Sequence, residues 1–137
     1  MLFRSIAQLF ADQDALILSD ERVILRQQGA GVTVYGTPWV GSGQYAAQAS
    51  RLMTGLYGIS HGEHRHRLEP LSPTKTMSLL LQQAFLPHWD RAAMEATLDF
   101  LASLTTHTPC FGLAFLNQAD VVELLQARSA SVEDAVS

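Results

Sequence analysis

Only one cysteine, Cys110, stands in the 137 residues, so no internal disulfide can form and the chain suits a reducing cytoplasm. Basic residues are few: nine Lys and Arg against thirteen Asp and Glu leave a net charge of −4, which argues against a nucleic-acid binder with its basic face. No apolar run approaches the roughly 20 residues that span a bilayer. Asp12 and Asp14 interrupt the N-terminal apolar stretch too soon for a signal peptide. What is present is 47% hydrophobic and 16% charged composition, enough apolar matter for a real core. These proportions predict a cytoplasmic domain over residues 1–128, with no membrane or nucleic-acid partner. Residues 129–137, small and acidic, read as a frayed tail.

Periodicity gives a mixed α/β order. Ile6, Leu9 and Phe10 recur at i, i+3, i+4 and predict a short helix over residues 3–12. The unbroken apolar run at residues 15–19 reads as a strand buried on both faces of a sheet. Arg22 to Arg26 and Val32 to Tyr35 are β-rich runs on either side of Gly29 and Gly31, which predicts a hairpin. Gly36 to Gly43 is a glycine-punctuated loop in which Trp39 is expected to pack inward. A helical turn at 45–50 and strands at Leu52–Ile59 and His64–Leu71 follow. Ser72-Pro73 starts a helix with Met77, Leu80, Leu81 and Ala84 on one side. Asp90 caps another, striped by Met94, Leu98, Leu101 and Leu104. Phe111–Leu116 is a strand, and Asn117 is placed to cap a last helix through Val121, Val122, Leu124 and Leu125.

Four groups of residues carry possible chemistry. Ser19-Asp20-Glu21 puts carboxylates at the end of the expected buried strand, where open α/β sheets hold catalytic groups and where phosphoryl transfer keeps its metal or base. The simpler reading of the pair is a solvated strand end before a hairpin. The Gly36–Gly43 loop with Thr37 offers close backbone approach to a phosphate, though its spacing is no nucleotide fingerprint and it holds no lysine. His61, Glu63, His64 and His66 can be imagined as zinc ligands, with His107 and Cys110 completing the set. Against that stands a solvent-facing polar strand. Cys110 with His107 is a possible nucleophile pair, set against a small buried hydrophobe.

Three segments in order then become more specific: Leu16-Ile17-Leu18-Ser19-Asp20-Glu21, Val34-Tyr35-Gly36-Thr37-Pro38-Trp39, and Arg67-Leu68-Glu69-Pro70-Leu71-Ser72-Pro73. Together with Gln83-Ala84-Phe85 and Val121-Val122-Glu123-Leu124-Leu125, they resemble the carboxyl half of HPr-kinase-related serine kinases. That group shares its fold with HPr kinase/phosphorylase and ATP-dependent phosphoenolpyruvate carboxykinase. The resemblance covers nearly the whole chain. It implies a mixed sheet flanked by helices, with Mg and ATP as cofactors. By the same carry-over, Asp20 and Glu21 take the catalytic positions, Arg4, Ser5, Gly36 and Thr37 the cofactor-binding positions, and Ser5 and Asp20 the metal positions.

The departure from that pattern lies at residues 3–5. Phe3, Arg4 and Ser5 stand where the family has Gly-Lys-Ser/Thr, and the phosphate-cradling loop before them is missing. The expectation is therefore a truncated or degenerate kinase-like domain, weak or inactive in catalysis by itself, with a binding or regulatory role. Its alternatives are an ATP-dependent phosphotransferase completed by another chain or cut short by a misplaced gene start, and a metal-dependent enzyme using the His61–His66 cluster. With its inner neighbour gone, the strand at Ala15–Ser19 is expected to expose an edge. That predicts a homodimer with residues 1–20 in its interface.

Overall fold

In the computed structural model the chain is mixed α/β. The structure describes residues 2–136, with side chains for residues 5–128. In chain order the elements are α1 (Leu2–Ala11), β1 (Val23–Gln28), β2 (Gly31–Gly36), β3 (Ser50–Leu52), β4 (Leu56–His61), β5 (Arg67–Pro70), α2 (Pro73–Gln83), α3 (Arg91–His107), β6 (Cys110–Phe115) and α4 (Asp120–Val136). The strands form two three-stranded sheets, ordered β1-β2-β3 and β4-β6-β5. Among the described residues no helix is long and apolar enough to cross a membrane.

The chain divides into two compact units. The first holds Met1–Met53, Ile59–His66 and Ala114–Ser137. Its buried apolar side chains are Ala7, Val32, Phe115, Val121, Val122 and Leu125. Its hairpin closes through Gly29-Ala30, with Gln28 opposite Gly31. Gly29 has φ +61°, the left-handed conformation that a two-residue turn needs and that glycine adopts without steric penalty. From there β1 and β2 stay in unbroken antiparallel register to Val23 opposite Gly36.

The second unit holds Thr54–Gly58 and Arg67–Leu113. Leu101, Leu104, Cys110, Phe111 and Leu113 are buried in it, and Tyr57 stacks on Phe111 with ring centroids 5.6 Å apart. Its helices begin as the sequence predicts. Ser72 accepts a hydrogen bond from Lys75 N–H with Pro73 at the first turn, and Asp90 accepts one from Ala93 N–H. The stripe on α2 is shifted: Thr76 is buried, while Leu81 is 37% exposed.

Several expected elements are corrected. Residues 15–18 are not a strand; Ser19 alone makes an isolated antiparallel bridge, to Ala46. The reason lies at the end of α1. Asp14, at φ 61°, terminates the helix, and Ala15 N–H donates back to Phe10 O (3.1 Å) while Asp14 N–H donates to Ala11 O (3.1 Å). This paired closure spends the amide that would have started a sheet ladder. The helical turn expected at 45–50 is extended chain leading into β3, and the strand expected over Leu52–Ile59 is broken at residues 53–55. The one expected at His64–Leu71 shortens to β5. Asn117 does not cap α4, which starts at Asp120. That helix is assigned through Val136; the side chains of residues 129–137, read as a tail, lie outside the described residues.

Candidate functional site

The acidic turn and the glycine loop, picked out separately in the sequence, meet in the first unit. Ser19 organises the turn: its hydroxyl donates to Trp39 O (2.9 Å) and accepts from the N–H groups of Glu21 (3.0 Å) and Arg22 (3.1 Å). Such short-range side-chain bonds substitute for a backbone ladder and fix a bend. Asp20 is thereby turned onto the loop. Its Oδ1 accepts from Gly41 N–H and its Oδ2 from Gly43 N–H, each at 2.7 Å. These short bonds are of the charge-assisted kind.

Glycine is required at both loop positions. A Cβ on Gly41 would stand 2.9 Å from the Asp20 carbonyl oxygen, and one on Gly43 would stand 2.7 Å from Asp20 Oδ2 and 2.9 Å from the Tyr45 ring. Gln44 takes up a left-handed conformation at φ 59° and donates its N–H to Gly41 O (3.0 Å), which folds residues 41–44 around the carboxylate. Partial desolvation acts to raise the Asp20 pKa. The backbone donors of Gly41, Gly43, Asp20 itself and Tyr45 outweigh it and hold the carboxyl below its ordinary value.

The other carried-over residues are placed as follows. Gly36 ends β2 and donates its N–H to Ala49 O (2.9 Å). Thr37 is buried, its hydroxyl donating to Arg22 O at 2.6 Å. Glu21 is exposed beside Asp20. Ser5 is half-buried on α1, and that helix reaches the loop region through Gln8, whose Oε1 accepts from Tyr45 OH (2.8 Å). The Arg4 side chain lies outside the described residues. Trp39 does not pack inward as expected but is 60% exposed, with Val40 beside it at 47%. Tyr45 organises the site without having been singled out, and Ser19, picked out only as the start of the acidic segment, does so through its hydroxyl. The Ser-x-x spacing of the turn was the available signal for Ser19; nothing in the sequence pointed to Tyr45.

The histidine cluster does not converge. Among the described residues no group of three or more His, Cys, Asp or Glu is placed to hold a metal ion. His61, Glu63 and His64 are exposed. His66 is committed elsewhere: its Nδ1 accepts from Leu116 N–H (3.1 Å), so the ring is the neutral Nε2–H form, and Nε2 donates to Asp120 Oδ1 (2.6 Å). In the second unit, His107 Nδ1 bonds to Ser103, 3.0 Å from its carbonyl oxygen, while Cys110 Sγ donates to Thr108 O (3.1 Å). Burial pushes the Cys110 thiol pKa up, against a hydrogen bond from Thr76, which is the wrong direction for a nucleophile.

Compared with models of protein families, with curated proteins and with solved structures, the chain matches none.

Proposed function

We propose that this chain is a binding or regulatory domain of the HPr-kinase/carboxykinase type, working in the cytoplasm, in which the acidic turn has become a structural staple. The observation that carries the reading is the seat of Asp20. Each carboxylate oxygen accepts one backbone N–H of the glycine loop. A phosphate cradled by a glycine loop needs such inward-pointing donors, and here an internal anion holds them. A triphosphate brought to this loop would meet a like charge in their place. The Thr37 hydroxyl is likewise spent on Arg22 O. As arranged, these residues do not fit magnesium-bound ATP.

The same stapling supports a binding role. A loop fixed by its own carboxylate presents Trp39 and Val40 to solvent without the entropy loss of ordering a flexible segment on contact. Aromatic side chains held this way are effective anchors for a protein partner.

Thermal melting of the full chain with Mg-ATP tests the reading. At low-millimolar ligand the expected shift is below about one degree, because stabilisation follows the ratio of ligand concentration to Kd. A shift of several degrees that disappears in Asp20→Asn overturns the proposal and restores a competent nucleotide site.

A further inference from the structure

We propose that β1 is the surface across which two copies of this chain pair, edge to edge and antiparallel, so that their β1-β2-β3 sheets become continuous. The inference stands apart from the reading of the Asp20 site and moves the expected self-association away from residues 15–19, where no strand forms.

The backbone hydrogen bonds fix which groups of β1 are open. Val32 O accepts from Met53 N–H (2.8 Å) and Gly36 N–H donates to Ala49 O (2.9 Å), so the even-numbered residues of β2 bond toward the β3 side. Its odd-numbered residues therefore bond to β1, and their register partners are Ile24, Arg26 and Gln28. The N–H and C=O groups of Val23, Leu25 and Gln27 point the other way, along an edge that no strand or bridge covers among the described residues.

Exposed edges are normally blunted by proline, lysine, a bulge or shortness. This one has six residues in unbroken register, no proline, lysine or bulge, and a single charged side chain, Arg26. It also carries apolar side chains, with Val23 44% and Ile24 53% exposed.

The three open residues select the register, and their symmetric placement about Leu25 points to a second copy as the occupant. A two-fold axis perpendicular to a sheet keeps each face on its own side, so it passes through a residue and not between two. An axis at Ile24 sets Gln27 against Glu21, outside the strand, and one at Arg26 sets that arginine against itself. An axis at Leu25 creates no like-charged pair. It places Leu25 opposite Leu25, Val23 opposite Gln27, and Ile24 opposite Arg26. All three open residues of each strand then face open residues of the other, over residues 23–27.

Ile24 is the position that tests this register, because it is exposed and its opposite number is a cation. Sedimentation or light scattering of the full chain over a dilution series should show a dimer that dissociates at low concentration. Ile24→Glu, which places a carboxylate opposite Arg26 at two symmetric points, should tighten dimerisation about tenfold, and Ile24→Lys should weaken it about tenfold. Circular dichroism checks that both variants keep the fold. A wild-type monomer at every concentration overturns the proposal. So does a dimer whose dissociation constant ignores the sign of the charge at position 24, since that places association on another surface.

Discussion

Ala15-Leu16-Ile17-Leu18 and the strand β6 are both unbroken apolar stretches, yet one is only half-buried, with Leu16 exposed, and the other is the best-buried strand among the described residues. Leu16 is 49% exposed, whereas Phe111, Leu113 and Phe115 are 5%, 0% and 3% exposed. The difference lies in the neighbours. β6 is the middle strand of its sheet, between β4 and β5. The earlier run has its first amide consumed by the closure of α1 and, among the described residues, bonds sideways through Leu18 O, which accepts from Ala47 N–H (2.9 Å), and through the adjoining Asp20 N–H, donated to Tyr45 O (3.3 Å). Apolar composition makes burial favourable in both places. Only a segment with free backbone on both sides becomes an inner strand.

Substitutions can push this contrast hard. Leu113→Ala deletes a fully buried side chain and should cost about 3 kcal/mol, the transfer term plus an unfilled cavity, read by urea denaturation followed by circular dichroism. Because the earlier run is positioned by polar bonds, the change that disturbs its surroundings is Asp20→Asn, with an expected loss on the order of 1 kcal/mol at neutral pH. Its pH dependence has a definite sign. The Asp20 pKa is lowered in the folded state, so its contribution is complete above the unfolded carboxylate range and fades as pH falls through the folded value. Melts at neutral and acid pH should therefore show the gap between wild type and Asp20→Asn narrowing in acid. A constant gap would mean that the carboxylate charge is not what holds the loop. Leu16→Ala should change stability by no more than about 0.5 kcal/mol in the same denaturation experiment. A loss comparable to that of Leu113→Ala would show that the two runs do equivalent work.

Local chemistry was readable at several helix starts and at the hairpin, though not at Asn117, which does not cap α4. Ser72-Pro73 and Asp90 start helices because capping involves residues within one turn, and Gly29 closes the hairpin because a left-handed φ is a property of one residue. Residues 15–18 misled because strand formation depends on a partner, and the partner was lost to a hydrogen bond from Ala15 to Phe10 that hydropathy does not encode. The site was legible in halves: Asp20 and the glycine loop stood out in the sequence, but their contact spans 21 residues to Gly41 and 23 to Gly43. No periodicity links positions so far apart. The histidines stood out for the opposite reason: His61, His64 and His66 are close in sequence, yet only His66 turns inward, to Leu116 and Asp120.

The placement of Trp39 and Trp89 bears on how this molecule can be watched. They are the chain's two tryptophans, and both are solvent-facing, at 60% and 86% exposure. An indole that is hydrated in the folded protein gains little further hydration when the chain opens. Tryptophan emission will therefore barely change colour on unfolding, and a flat fluorescence trace would be compatible with a complete loss of structure. The same property makes both rings sensitive reporters of contact. A partner that covers Trp39 will shift emission to the blue against an almost fully hydrated baseline.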